Sequence, residues 1–323
     1  PGARIDAAWV AGRLARAGRL RSGLHDTPHY RLVHAEGDAL PGLVIDRYGD
    51  ALVVQPNAAW AEARLEALLV AAAALDGVSR IVVNATSRVR RLEGLGERLE
   101  VVRGTVEAPV PVPMNGAVYM ADLLGGQKTG LYYDQRENQA FAARLAPGGR
   151  VLDLFSHVGG FALAALAGGA AEALAVDGSA PALALAEEGA RRSGLAERFA
   201  TRRADAFEAL EAFGAGGARF DMVVSDPPAF APNKAALAQG LRAYAKLARL
   251  AAPLVAPGGW LVLCSCSHAA DAQSFLRACH AGLRKAGRGA QLVRSGRAGP
   301  DHPQHPALPE TGYLKALFLR LDG

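Results

Sequence analysis

The sequence predicts an α/β protein: a doubly wound, mostly parallel sheet in the C-terminal half, preceded by a small α+β domain. Three observations carry this. From residue 148 onward, near-continuous apolar runs alternate with long Ala/Leu-rich helical stretches, as parallel strands covered on both faces require. Before residue 104 the apolar runs are short, rich in β-formers and separated by turn residues, with one helical stretch among them. In between, Pro109, Pro111 and Pro113 mark an extended edge segment, because proline cannot donate to the ladder of a central strand.

Residues 6–24 read as one helix, with Ala8, Trp9, Ala11, Leu14 and Ala15 at helical spacing and Gly18 and Gly23 at its fraying end. Tyr30–His34, Gly42–Arg47 and Ala51–Gln55 read as strands, the last two joined by a turn at Gly49-Asp50. A helix over Ala58–Leu75 and strands at Arg80–Asn84 and Leu99–Arg103 complete a β-β-β-α-β-β unit. Residues 105–121 read as an extended hairpin. Strands then follow at Arg150–Phe155, Ala173–Asp177, Phe199–Arg203, Phe220–Ser225, Trp260–Cys266 and Tyr313–Leu321. Helical stretches such as Gly160–Ala167, Pro181–Ser193 and Lys234–Leu254 separate them. The expected division is a helix and linker (1–28), a small α+β domain (29–104), a connecting hairpin (105–137) and the sheet domain (138–323). Right-handed crossovers put the ligand of such a sheet at the carboxyl ends of its strands.

Bulk properties set the frame. With 323 residues, half of them hydrophobic, the chain can bury a large core, and two domains are the default. A net charge of +5 is compatible with a polyanionic partner without establishing one. Arg13, Arg16, Arg19 and Arg21 add to that leaning, although they equally suit the solvated face of one helix. The cysteines Cys264, Cys266 and Cys279 do not form a disulfide framework, which favours a reducing, cytoplasmic setting. No signal segment or bilayer-spanning run is recognisable, so no membrane association is expected. Nor does any metal-ligand set stand out. Whether the chain dimerises is left open, a homodimer being compatible with the sequence. The chain opens Pro-Gly-Ala-Arg rather than with Met, which leaves open whether something upstream is missing.

The most informative segment runs from Val151 to Phe161. It is an apolar strand, a turn with the pair Gly159-Gly160, and the start of a helix, with Phe155 and Ser156 at the turn. Such glycines let backbone approach a ligand, and the helix N-terminus offers free N–H donors. The run lacks the G-x-G-x-x-G of a dinucleotide site, and Asp153 closes the strand. An acid there would repel a pyrophosphate but suits the ammonium and sulfonium of S-adenosylmethionine. The second strand ends at Asp177, followed by Gly178 and Ser179, where an acid accepts from ribose hydroxyls. After the third strand come Asp205, Ala206 and Phe207: Asp205 could accept from an adenine amino group, or simply cap a helix.

The fourth strand runs into Asp226-Pro227-Pro228-Ala229-Phe230, a stiff turn offering an acid, carbonyls and a ring to a planar base, with Lys234 just beyond. The fifth ends Cys264-Ser265-Cys266-Ser267-His268. Residues at i and i+2 share a strand face. Cys266, nearer the carboxyl end, is the better nucleophile, while Cys264 and mid-helix Cys279 read as packing. A thiolate has a specific use beside a methyl donor: adding to C6 of a pyrimidine makes C5 nucleophilic. What helps the thiol ionise is not legible, since His268 could equally cap the next helix.

These residues together resemble the bacterial 23S ribosomal RNA cytosine-C5 methyltransferase family. The similarity spans nearly the whole chain: Leu40–Asp50, Lys128–Asn138, the Asp153 turn, Asp226–Phe230, Cys264–His268, Asp301-His302-Pro303 through Pro309-Glu310, and Tyr313-Leu314-Lys315. The resemblance implies a Rossmann-like class I methyltransferase domain with a mostly parallel seven-stranded sheet. It implies Cys266 as nucleophile and an S-adenosylmethionine pocket using Asp153, Asp177, Asp205 and Asp226. Gln135 and Arg136 would lie near the methionine end, where a guanidinium can grip a carboxylate with two bonds, unless Arg136 is a surface residue. It also implies large-subunit ribosomal RNA as partner. Two departures stand out: the family usually carries a small RNA-binding PUA domain at its N-terminus, and this chain begins about where that domain should end, so that either it was removed or RNA is gripped by other means; and the family tends to carry Asn where this chain has Gly189 and Ser193. Two rivals remain. Asp226–Phe230 also resembles the signature of enzymes that methylate exocyclic amines of purines and need no thiol. A non-catalytic RNA-binding or assembly factor could keep the same fold.

Overall fold

The computed structural model describes residues 5–107, 109–125 and 130–322. Lys128 and Thr129 of the resemblance, and residues 1–4, lie outside the described residues. The chain divides into two compact units: residues 1–113, 120–134 and 299–311, and residues 114–119, 135–298 and 312–323.

The first unit begins with α1 (Ala7–Ser22), capped by Asp6, whose carboxylate accepts from Trp9 N. Its buried stripe is Val10, Leu14, Ala17 and Arg21. β1 (His29–His34), β2 (Leu43–Tyr48) and β3 (Ala51–Pro56) form an antiparallel meander. The helix expected over 58–75 is divided into α2 (Ala59–Ala63) and α3 (Leu65–Ala73), because Arg64, at φ −113° and ψ 14°, leaves the helical region. β4 (Arg80–Ala85) returns parallel to β3, and β5 (Arg98–Arg103) closes the sheet in order β1-β2-β3-β4-β5. Its core joins Leu32, Ile45, Val54 and Ile81 of the strands to Leu14 of α1 and Leu68 of α3. A two-stranded sheet of β6 (Val110–Met114) and β7 (Ala117–Ala121) occupies the segment read as a hairpin.

The grouping of four arginines on one solvated helix face needs correction. Arg16 and Arg19 are exposed, but Arg21 is fully buried. Its Nη1 and Nη2 donate to the two carboxylate oxygens of Asp38 at 2.6 and 2.7 Å, its Nε to Arg31 O and its Nη2 also to Asp301 O. A guanidinium can be buried only when its forked donors are met in this way. Arg21→Ala would strand a largely buried Asp38 carboxylate, so a loss of about 3–5 kcal/mol is expected. A urea titration of the variant should show a clearly lower midpoint; an unchanged one would contradict this role. Near it, burial and the neighbouring His302, Arg31 and Arg21 push the His34 imidazole down to about 2, so this histidine stays neutral.

The second unit holds α4 (Arg136–Leu145), then β8 (Arg150–Leu154), α5 (Gly160–Ala167), β9 (Glu172–Asp177), α6 (Ala180–Arg192) and β10 (Phe199–Arg203). α7 (Ala206–Ala215), β11 (Phe220–Ser225), α8 (Leu237–Ala251), β12 (Val255–Ser265), α9 (Ala272–Lys285), β13 (Ala290–Gly296) and β14 (Lys315–Leu321) follow. The seven strands run β10-β9-β8-β11-β12-β14-β13, so the order reverses between β8 and β11. β8 to β12 are mutually parallel, and β14 is inserted antiparallel to β12 and β13. This is the mostly parallel seven-stranded sheet implied above, and it puts the carboxyl ends of β8, β9, β11 and β12 on one edge, beside the switch point. Two details differ from expectation. β13 was not legible, because an edge strand with Gln291, Arg294 and Ser295 beside half-exposed Leu292 and Val293 carries no continuous apolar run. β12 ends at Ser265, so Cys266 lies one residue beyond the strand.

Candidate active site

All the site residues named from the sequence fall in the second unit. At the carboxyl end of β8, Ser156 O accepts from Gly159 N (2.8 Å) and Gly160 N (3.2 Å), closing the turn, while Ser156 N donates to Val176 O on β9. Phe155 (φ 59°) and His157 (φ 49°) both adopt left-handed backbone, joined by Gly159 at φ +79°. Non-glycine residues held there cost about 1–3 kcal/mol each and cluster at functional sites. A Cβ on Gly159 would also sit 3.2 Å from Ala186 Cβ and Leu163 Cγ, so glycine is needed for both space and conformation.

Asp153 is fully buried, and its Oδ2 accepts from Phe161 N (3.2 Å) and Ala162 N (2.9 Å) in the first turn of α5. Burial, aided by the charge of Asp177, raises its carboxyl to about 7 against the pull of those two amides. Its Oδ1, like the buried Ser156 Oγ, has no hydrogen-bond partner among the described residues. Buried polar atoms are seldom left unmet, so a ligand with a positive or donor group fits here. Asp177 holds the turn from the other side: Oδ2 accepts from His157 N and Oδ1 from Ser179 N, both at 2.8 Å. Each oxygen keeps a further lone pair for a hydroxyl. Ser179 caps α6, and Gly178 leaves its Cβ direction open.

Asp205 is the N-cap of α7, its Oδ1 accepting from Phe207 N and Glu208 N. Ala206 is buried beneath it, and Phe207 packs against Phe230 with ring centroids 6.1 Å apart.

Arg136 is buried at the start of α4 and not a surface residue. Both it and Asp153 act electrostatically on Tyr119, whose hydroxyl donates to Gly160 O at 3.1 Å. Beside Arg136, the buried Gln135 donates from Nε2 to Asp226 Oδ1 at 2.9 Å and accepts at Oε1 from Asn138 Nδ2 at 2.7 Å. One amide therefore ties α4 to the carboxyl end of β11.

Beyond Asp226, Pro227 is buried and Pro228 exposed. Phe230 sits between Phe155 (6.4 Å), Phe207 and Tyr244 (5.0 Å). The ring read as a stacking platform for a base is thus packed largely against the core. Lys234 is exposed in the following loop. Cys264 is sealed in the sheet, and burial pushes its thiol well up. Cys266 is partly exposed, with Sγ 3.9 Å from Pro227 O. The two loops are laced by hydroxyls: Ser265 Oγ donates to Tyr244 OH (2.9 Å), Tyr244 OH and Ser267 Oγ share a bond (2.7 Å), and Ser267 Oγ accepts from Ala231 N (2.9 Å). Sequence reasoning missed Tyr244, whose only signal was a tyrosine on the buried face of α8. Tyr244→Phe would leave two buried serine hydroxyls short of a partner, an expected loss of about 1–3 kcal/mol. Thermal melts should register that fall, while cofactor binding changes little.

Asp153, with its unmet Oδ1, and Asp177 flank the turn at Gly159, and Asp153 and the buried Arg136 both act on Tyr119. A set of groups of this kind would suit an amino-acid-bearing nucleoside, and the sheet, with its strand order reversing between β8 and β11, is that of the class I, Rossmann-like methyltransferases. Residues 62–320 match the family model of S-adenosylmethionine-dependent methyltransferases. The chain is 39% identical over 322 residues to ribosomal RNA large subunit methyltransferase I of Aeromonas hydrophila, covering 98% of this chain and 81% of that protein. It is 38% identical to a ribosomal RNA large subunit methyltransferase of Deinococcus radiodurans, over 99% of this chain and 80% of that one. Among solved structures, SMU.776 complexed with SAH superposes with a TM-score of 0.86 at 20% identity, covering 99% of this chain and 83% of that one. Trm5b from Pyrococcus abyssi does so at 0.62 and 14%, over 86% and 75% of the two chains. The chain belongs to the S-adenosylmethionine-dependent methyltransferase family, and its cofactor is S-adenosylmethionine.

Proposed function

We propose that this enzyme methylates C5 of a cytidine in large-subunit ribosomal RNA, using Cys266 as a covalent nucleophile. The observation that carries the reading is the placement of Cys266. It is the one partly exposed thiol of the three, just past the carboxyl end of β12 and against the Asp226–Phe230 loop. The substrate class rests on relatives named ribosomal RNA large subunit methyltransferases at 38–39% identity.

S-adenosylmethionine supplies an electrophilic methyl group when bound. The chain's residues make the base able to take it. The Cys266 thiolate bonds to C6, and the C5=C6 π pair moves to C5, which becomes the nucleophile. After C5 is methylated, its proton is lost to solvent base, the C5=C6 bond re-forms and the thiolate leaves. Asp226, steadied by Gln135, faces the polar edge of the base. Asp153, Asp177, Asp205, Arg136 and the turn at Gly159-Gly160 hold the cofactor. Because a pocket beside the cofactor cannot admit a duplex, the base enters unstacked. The exposed Arg16 and Arg19, and the small α+β unit, serve phosphate contact. The setting is the cytoplasm, and no helix among the described residues is long and apolar enough to cross a membrane.

The test is methyl transfer to large-subunit RNA from cells lacking the enzyme, followed by nucleoside analysis. Label in 5-methylcytidine is expected. Label in a methylated purine would overturn the reading in favour of amine methylation by the Asp226–Phe230 loop.

A further inference from the structure

We propose that Lys315 is the positioning residue of Cys266: its ammonium pins the turn that follows the cysteine and supplies the positive charge beside which the thiol ionises. This rests on the reading of Cys266 as nucleophile.

Lys315 is the first residue of β14 and pairs across the sheet with Ser265, the residue before Cys266. Because β14 runs antiparallel to β12, the start of β14 lies at the edge where β12 ends. The side chain is buried, yet its Nζ reaches two backbone carbonyls, Ser267 O at 2.6 Å and Ala270 O at 2.8 Å. An ammonium has three donors, and two of them clamp residues 267 and 270 of the turn after the cysteine. A lysine buried only to hold a turn would be an expensive choice, since a neutral amide could donate to the same carbonyls without the desolvation of a charge. What the ammonium adds is its field. Burial pushes it down, and Cys266 followed by Asp271 pull it back up. Attraction of this kind is mutual, so a cation favoured by the sulfur anion favours that anion in return.

Tyr244, Cys264 and Asp226 do not supply a cation. From α8, Tyr244 stands within electrostatic reach of Cys266, as does Cys264 near the end of β12, and both are neutral at physiological pH. Asp226, which acts on Cys264, is acidic. His268, the candidate raised by the sequence, stacks its ring on Tyr313 at 5.3 Å. Among these, Lys315 is the cation set against the turn. The proton released on ionisation passes to solvent through the partly exposed face of Cys266.

Thiol alkylation tests this without methyl transfer. Cys264 and Cys279 are buried, so iodoacetamide consumption by the folded protein reports on Cys266, with Cys266→Ala as the blank. Lys315→Gln keeps N–H donors for the turn carbonyls but removes the charge, and Lys315→Arg keeps the charge. The pH midpoint of alkylation should rise by about one unit in Lys315→Gln, with roughly tenfold slower alkylation near neutrality, and return toward wild type in Lys315→Arg. A Lys315→Gln protein with wild-type melting temperature and an unmoved midpoint would overturn the proposal. So would a midpoint that moves equally in Lys315→Arg. If Cys266→Ala retained methyl transfer, the nucleophile reading would fall, while the alkylation profiles would still decide whether Lys315 governs the thiol.

Discussion

Cys266→Ala is expected to bind S-adenosylmethionine within about threefold of wild type and to lose methyl transfer by roughly a thousandfold or more, as removal of a covalent nucleophile does. The separation follows from geometry. On the proposed reading the cofactor lies against the β8 turn, Asp177 and α4, whereas Cys266 stands beyond β12, where its sulfur meets the Pro227 carbonyl. The substitution removes a partly exposed sulfur and leaves the Ser265–Tyr244–Ser267 lacing untouched, so melting temperature should hardly move. Calorimetry for the cofactor and single-turnover transfer for the chemistry give the two numbers. RNA containing 5-fluorocytidine sharpens the result, because fluorine at C5 blocks the elimination that frees the enzyme. Wild type should form a denaturation-resistant adduct in the presence of cofactor, and Cys266→Ala should form none. Equal loss of cofactor affinity and transfer would instead assign Cys266 to the fold.

How far the sequence reached depended on whether each feature announced itself locally. The parallel strands did, because burial on both faces leaves apolar runs such as Val151-Leu152 and Met222–Val224. The turn after β8 did as well, through its paired glycines and the acid before them. The left-handed backbone of Phe155 and His157 did not, since neither residue type signals it and the surrounding turn imposes it. Edge strand β13 was lost because solvent takes the place of an apolar neighbour. Arg21 looked like one more exposed arginine of its helix, and only the distant Asp38 and Asp301 make it a core residue. Lys315 and Tyr244 were silent for the same reason. Their partners lie 45 or more and 21–23 residues away, and a hydrogen bond closed by the sheet leaves no periodicity to read.

Affinity for S-adenosylmethionine should climb with pH toward about 7, and Asp153→Asn should flatten that climb while weakening binding about ten- to a hundredfold. The Asp153 carboxyl is held near 7 in the folded protein by burial, well above its ordinary 3.8. Between those values the unfolded chain has released this proton and the folded chain still keeps it. The group's contribution to stability therefore falls as pH rises through that window, and levels off above about 7. A cation placed against Oδ1 reverses the preference, since it is attracted to the carboxylate and not to the acid. Below the folded value, binding must then expel the proton, which costs up to about tenfold in affinity per pH unit. Above it the carboxylate is already formed and the dependence should vanish, until the cofactor's own amino group loses its charge near pH ~8 and affinity falls again. Calorimetry in buffers of different ionisation enthalpy should record close to one proton released per cofactor bound at pH 6 and little at pH 7.5. The asparagine variant should retain the fall on the alkaline side alone, because it has no acid to titrate. A wild-type affinity that stays level from pH 5.5 to 7.5 would move the cofactor's cation away from Asp153 and leave that residue as the buried tie between β8 and α5.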